Sequence, residues 1–284
     1  MSEPKHCSSA PKYSLVIATL DRVEGFTALL ASICAEKDLD LEIIVVDQNS
    51  DDRLADALNG LNADIPLTHL RVHFKGVSKA RNFGAQHARG QFLFFPDDDA
   101  EILPGYFKLA DHCIDQGHRV IFGKCVDRNG ADSLRTFSPK PAPLTLRQHR
   151  GMFVEPNMLI QREVFLQTQF DESLGVGVFH GAEEGFDLVL RLLKKNVPIY
   201  YTPELKVYHP NKILDQQSEE EIRRIFAHRC GYAKVCRKHR LYFRLLKRIT
   251  LVSACLLLMA VINRRRVRFY FSELLGLFTG LVIR

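Results

Sequence analysis

Short, uninterrupted apolar runs alternate along the chain with longer stretches in which apolar residues recur every three or four positions. Residues 13–19 (YSLVIAT) form the first run, bounded by Pro11 and by Asp21-Arg22, and predict a buried strand. A helical pattern follows, with Val23, Phe26, Leu29, Leu30 and Ile33 on one side. Residues 41–46 (LEIIVV) predict a second strand, 51–61 a helix and 68–74 a third strand. The helical pattern over 77–88 stops at Gly90, a good C-terminal signal. Residues 91–95 (QFLFF) then predict a fourth strand running into Pro96-Asp97-Asp98-Asp99. Strands alternating with helices call for a mostly parallel α/β sheet covered on both faces. Right-handed crossovers make it doubly wound, with ligands beyond the carboxyl ends of the strands. Asp47 and the aspartate run fall at such ends.

A helix over 105–116 and a strand over 119–126 continue the alternation. Residues 127–150 carry Gly130, Pro139, Pro141 and Pro143 and predict a mobile loop. A strand over 151–160, a helix over 181–195 and a strand over 198–202 complete this half. From Glu219 to about Arg248 the pattern is one long helix studded with Arg and Lys. Two apolar stretches follow, 249–262 and 269–283, each short of the ~20 residues a spanning helix needs. Between them lie Arg264-Arg265-Arg266 and Arg268. Crossing twice would put that cluster outside, against the positive-inside tendency. Two interfacial or shallow re-entrant helices, with arginines at lipid phosphates, satisfy both facts. A core-packing or dimerising helical pair is the alternative.

Composition changes this picture in one respect. With 284 residues, 46% hydrophobic and 25% charged, the chain is globular, with room for one large domain or two small ones. Its net charge of +6 hides a split. Residues 222–284 hold 15 Lys/Arg against one acid, Glu273, a balance of +14; residues 1–221 hold 24 basic and 32 acidic residues, a balance of −8. A basic tail points to an anionic surface, and its interleaving with apolar stretches favours lipid over nucleic acid. Seven cysteines without a CxxC pair suit a reducing cytosol. The polar start, 1–12, is expected to be disordered and has no signal-peptide core.

Three segments carry chemistry. Asp97, Asp98 and Asp99 repel one another unless a cation is present. In an extended segment Asp97 and Asp99 point to one side, where Mg²⁺ or Mn²⁺ accepts oxygen ligands. Gly76-Val77-Ser78-Lys79-Ala80-Arg81-Asn82 opens a helix with a glycine, a capping serine and two cations, which suits a phosphate. In Gly181-Ala182-Glu183-Glu184-Gly185-Phe186-Asp187, clustered carboxylates offer a general base, while Asp187–Arg191 has the spacing of an i, i+4 salt bridge. His209, in Tyr208-His209-Pro210, gains meaning only beside Asp99, as a metal ligand.

Taken together, SLVIATLDR, EIIVVDQNSDD, GVSKARNFGAQHARGQFLFFPDDD, GAEEGFDLVLRL and YHP resemble family 2 of the glycosyltransferases, over roughly 13–210. The resemblance implies a GT-A fold, a doubly wound mixed sheet, followed here by a helical, membrane-associating extension over 211–284. Residues 13–126 would form the nucleotide-sugar half and 127–210 the acceptor half. The resemblance also implies roles. Thr19, Asp21, Asp47, Ser78, Arg81, Asp97 and Asp98 would bind the nucleotide sugar. Asp97, Asp99 and His209 would hold Mn²⁺ or Mg²⁺, and Glu184 would be the base. Many relatives have Asn at the position of Asp21, and Glu-Asp-x-Asp where this chain has Glu184-Gly185-Phe186-Asp187. The base therefore stays open among Glu184, Glu183 and Asp187. The expected activity is inverting transfer to a glycan or lipid-linked acceptor in cell-surface polysaccharide or glycolipid synthesis. The expected place is the inner face of the cell membrane, peripheral or monotopic, with a homo-oligomer as a further partner. The competing classes are a sugar-phosphate nucleotidyltransferase, whose Gly-rich loop ATLDRVEG lacks, and a non-catalytic membrane- or nucleic-acid-binding module.

Overall fold

A computed structural model of the chain describes residues 10–36, 40–61, 65–211 and 215–283, so the expected disordered start lies outside the described residues as far as residue 9. The chain divides into two compact units. The first comprises Met1–His73, Phe83–Thr168 and Pro198–Pro210; the second comprises Phe74–Asn82, Gln169–Val197 and Asn211–Arg284.

Among the described residues the first unit is built on nine strands: β1 (Tyr13–Thr19), β2 (Leu41–Asp47), β3 (Leu67–Arg71), β4 (Phe92–Phe94), β5 (Glu101–Ile102), β6 (Val120–Val126), β7 (Ala142–Pro143), β8 (Met158–Gln161) and β9 (Tyr200–Tyr208). They form one sheet in the order β3-β2-β1-β4-β8-β6-β9-β5, with β7 pairing β9. The β3-β2-β1-β4 half is parallel, whereas β8 runs antiparallel to both β4 and β6. The sheet is therefore mixed, and the fold is α/β. Every residue of β2 and nearly every residue of β1 is buried, which is why both read as continuous apolar runs. Their register sets Thr19 beside Asp47 at the carboxyl end. Helix α1 (Glu24–Ala35) buries Phe26, Leu29, Leu30 and Ile33, while Val23, expected on the same side, is exposed at the N-cap position and makes no side-chain capping hydrogen bond.

Several boundaries differ from the sequence expectation, each for a physical reason. The helix expected over 51–61 shrinks to α2 (Ala55–Asn59), which buries no residue along its length. Helix α3 (Val77–His87) follows β3, and α4 (Tyr106–Asp115) follows β5. The strand expected over 151–160 is found only at its end, as β8, after a 3-10 turn, Glu155–Asn157, and before the short α5 (Arg162–Leu166). The loop over 127–150 is held down rather than loose: Phe137 and Leu144 are buried, Lys124 pairs with Asp132, and the Tyr201 hydroxyl donates to the Ser138 carbonyl. Strand β9 is longer than expected. Its pairing with β6 shifts register between Phe122 and Lys124, which accommodates Pro203.

The second unit holds α6 (Glu184–Lys194), α7 (Glu219–Lys238), α8 (Tyr242–Ile262) and α9 (Val267–Val282). Ser218 caps α7 by accepting the Glu221 N–H, and three glutamates occupy the first turn. The single helix expected over 219–248 breaks after Lys238. Arg240 takes a left-handed φ of 58° and the Leu241 N–H returns to the Cys236 carbonyl, a Schellman-type stop without its usual glycine. The break lets α8 start at Tyr242, so the apolar stretch that looked too short belongs to a 21-residue helix long and apolar enough to cross a membrane. Helix α9 lies against α7 through Gly276 and Gly280. A Cβ on Gly280 would sit 2.3 Å from the Cys230 carbonyl oxygen, and one on Gly276 2.5 Å from that of Phe226. Tyr232, Ala233, Cys236, Leu245, Val252 and Leu277 form the core of these three helices. Glu273, the tail's one acid, is buried among them and accepts from Arg229 Nε at 2.7 Å and from Arg248.

Candidate active site

In the first unit, chemistry gathers at the carboxyl ends of β1, β2 and β4 and just past β9. Asp47, fully buried, is fixed on both oxygens. Oδ1 accepts from the Asn49 backbone N–H at 2.9 Å and from Asn49 Nδ2 at 2.8 Å; Oδ2 faces His69 Nε2 at 3.0 Å. Since a carboxylate here only accepts, His69 Nε2 carries the proton of that contact. Asp47 and His69, with Asp52 and Arg71, border an open cavity of about 390 Å³, within the usual range of small-molecule sites. Asp21 stands beside it, its N–H donating to Asn49 Oδ1 at 2.7 Å and its carboxylate accepting from Arg53 at 2.7 Å. Its φ of 59° is the left-handed conformation that Asn and Asp tolerate best, a reason for either residue at this position.

The aspartate run is not extended. The Ala100 N–H closes a turn onto the Asp97 carbonyl at 3.0 Å, and that turn brings Asp97 and Asp99 together. His209 completes the group: its Nε2 is 3.4 Å from Asp97 Oδ2 and 3.3 Å from Asp99 Oδ1, and one ligand atom from each residue lies within 4.8 Å of the others. His209 Nδ1 is 2.9 Å from the Pro210 carbonyl, to which it donates. That hydrogen bond fixes the ring with Nε2 turned toward both carboxylates, the way the far nitrogen of a metal-ligating histidine is commonly held. Asp98 turns away. Burial pushes its carboxyl up, against the pull of Arg22. Arg22 Nε is 3.5 Å from Asp98 Oδ1, and its NH1 pairs with Asp99. Gly25 permits this close approach, since a Cβ there would sit 2.9 Å from the Asp98 carbonyl oxygen.

In the second unit, Ser78 and Arg81 are both buried. The Ser78 hydroxyl donates to the Leu174 carbonyl at 2.6 Å, and the Arg81 guanidinium lies 5.6 Å over the Phe170 ring and 3.6 Å from Glu184 Oε1. Gly175, at φ 106°, closes round the same residues: a Cβ there would sit 2.9 Å from Ser78 Oγ and 3.3 Å from Glu184 Cδ. Glu184 opens α6, and Glu183 precedes it as N-cap with a left-handed φ of 75°. The three acids of this segment are thus in different environments. Asp187 is wholly buried and accepts from Arg191 Nε at 2.7 Å, Lys238 Nζ at 2.8 Å and His239 Nε2 at 2.7 Å. Burial alone would raise its carboxyl, but the His239 hydrogen bond and the Arg191 and Lys238 charges bring it below the ordinary value.

Residues 14–173 match the sequence model described as glycosyl transferase family 2. The chain belongs to that family. Among curated relatives, a GalNAc(5)-diNAcBac-PP-undecaprenol beta-1,3-glucosyltransferase of Campylobacter jejuni is 31% identical over 163 residues, 56% of this chain and 49% of that protein. A poly(ribitol-phosphate) beta-N-acetylglucosaminyltransferase, TarS, of Staphylococcus aureus is 29% identical over 175 residues, 57% of this chain and 30% of that one. The matches thus span about half or less of these two relatives. The fold is shared with a Pyrobaculum calidifontis mannosyltransferase solved with GDP-Man and Mn²⁺ (TM-score 0.64, 16% identity, 97% of this chain and 88% of that one). It is also shared with TarS 1–349 solved with UDP-GlcNAc (TM-score 0.58, 17% identity, 95% and 90%).

Four side chains around these groups escaped sequence reasoning: Arg22, His69, Lys238 and His239. His69 sits in a strand none of whose residues is buried, so a polar side chain there is free to serve something other than the core. Arg22, Lys238 and His239 carry no local signal, because each meets its carboxylate across a long stretch of chain.

Proposed function

We propose that the chain is an inverting, metal-dependent glycosyltransferase that moves a sugar from a nucleoside diphosphate to a hydroxyl of a lipid-linked glycan. The Asp97–Asp99–His209 cluster carries this reading. Two carboxylate oxygens and a presented imidazole nitrogen suit Mn²⁺ or Mg²⁺. A cation there would neutralise charge developing on the departing nucleoside diphosphate. Asp47 accepts a hydrogen bond from the base or ribose, with His69 and Asn49 holding it in place. Thr19, Asp21 and Asp98 complete the donor contacts of the first unit. Arg81 supplies positive charge for the diphosphate, and Ser78 shapes the segment around it through Leu174.

Glu184 takes the proton of the acceptor hydroxyl as that oxygen attacks the anomeric carbon from the face opposite the leaving group. The C–O bond to the diphosphate breaks in the same displacement, so configuration inverts and no protein nucleophile is used. The beta linkages in the relatives' names agree with inversion of an α-linked donor. Asp187 is assigned to structure, since its buried carboxylate is already engaged by Arg191, Lys238 and His239. The undecaprenol-linked acceptor in the Campylobacter relative's name, together with the basic apolar tail, supports a lipid-linked acceptor at the inner face of the cell membrane. In this reading 13–210 is the transferase domain and 211–284 the attachment, although 74–82 and 169–197 fold with the tail helices.

A panel of nucleotide sugars with Mn²⁺ or Mg²⁺, read by thermal shift, tests the proposal. A donor at 100 times its Kd adds about 2.7 kcal/mol of stability. Stabilisation by one nucleotide family, lost in D99A, is expected. Stabilisation by no donor, or by donors with no dependence on metal or on Asp99, overturns it.

A further inference from the structure

Helix α8 is long enough to span a bilayer, yet its surroundings argue against its doing so. Its first seven residues contain Arg244, Lys247 and Arg248. The uncharged remainder, 249–262, reaches only about 21 Å at 1.5 Å per residue, against a ~30 Å hydrocarbon core. Leu245 and Val252 are buried in the core shared with α7 and α9, and Arg248 is one of two cations on the buried Glu273. Withdrawing α8 would strand that carboxylate with a single partner. Meanwhile α9 is locked on α7 by Gly276 and Gly280.

What α8 and α9 leave outside is apolar and regular. On α9, Phe271, Leu275 and Phe278 are exposed at spacings of four and three; on α8, Phe243, Leu257 and Val261 share one face. The short turn joining the two helices is Arg264–Arg266, all three exposed. We propose that α8 and α9 lie flat in the interface of an anionic bilayer, with these faces among the acyl chains and Arg264, Arg265 and Arg266 on lipid phosphates. This deepens the membrane-bound reading above and rests on it. The occupant is lipid rather than a second copy of the chain, because the apolar faces are joined by a cationic turn. A self-complementary interface would set like charges together there, whereas anionic headgroups complement them.

The chain has no tryptophan, so an introduced one reports alone. Single variants F243W, L251W and I262W of the full chain are bound to vesicles of phosphatidylglycerol and phosphatidylcholine, and their depth is read by brominated-lipid quenching. F243W, on the lipid-buried face, is expected deepest, with L251W and I262W, about 80–100° round the helix from it, alike and shallower. Binding should fall at least tenfold in F271E/F278E and about 100-fold in R264Q/R265Q/R266Q, the latter from lost headgroup attraction. Leu251 about 12 Å deeper than Phe243 and Ile262 would mean a spanning helix; it overturns this inference and leaves membrane attachment standing. Failure to bind vesicles, with dimerisation abolished by F271E/F278E, overturns both. Equal binding to pure phosphatidylcholine overturns the arginine assignment. The donor panel, run without vesicles, keeps any failure of the transferase reading separate.

Discussion

Asp187 gives the sharpest test of how the second unit is held together, because its replacement separates a structural acid from a catalytic one. It is wholly buried and meets Arg191, Lys238 and His239 at 2.7–2.8 Å. In D187N these three donors face a neutral amide that can accept from only one side. Removing one partner of a buried ionic group costs about 3–5 kcal/mol, which at roughly 2–4 °C per kcal/mol lowers Tm by roughly 6–20 °C. The cost should depend on pH. The folded Asp187 carboxyl lies below its ordinary value, so its contribution is complete above about pH 4 and is lost as pH falls through the folded value. Melting curves by circular dichroism at pH 7, 5 and 3 should show a wild-type advantage over D187N that is steady between 7 and 5 and shrinks at 3. Donor binding by folded D187N should stay near wild type. A difference below about 1 kcal/mol at pH 7, or one that widens as pH falls, would refute the reasoning.

Two further outcomes check the packing directly. G280A should destabilise the helical unit by about 1–3 kcal/mol, because the new Cβ meets the Cys230 carbonyl oxygen; helix propensity alone predicts about 1 kcal/mol of stabilisation, so the sign decides. Alkylation of the native protein at pH 8 should mark Cys34 and Cys255 and spare Cys230 and Cys236, whose thiols burial pushes up to about 11; rapid labelling of either, read by peptide mass, would contradict the buried α7 face.

The first half of the sheet was legible because β1 and β2 are buried on both faces and announce themselves as apolar runs. Strand β9 was harder to see. Leu205 and Val207 alternate with exposed Glu204 and Lys206, but Pro203 hides the pattern at the register shift. The helix stop at Arg240 was illegible, since an arginine holds the conformation that glycine usually marks. At the candidate site, the aspartate run stood out as a cluster of like charges. Its meeting with His209, more than a hundred residues away, depends on β9 lying parallel to β6 and antiparallel to β5, a long-range pairing that periodicity does not encode. Asp187 shows the converse. Its i, i+4 spacing to Arg191 was visible, whereas Lys238 and His239 come from the far end of α7 and beyond it.

In the proposed transfer, Glu184 deprotonates the acceptor while other residues hold the donor. Once the donor panel yields a substrate, the direct test is turnover and donor affinity of E184Q beside wild type, with nucleoside diphosphate release as the readout. Turnover should fall by about 10²–10⁴-fold, the usual range for a general base, with donor Kd within a few fold of wild type. Near-normal turnover in E184Q would remove Glu184 from that role.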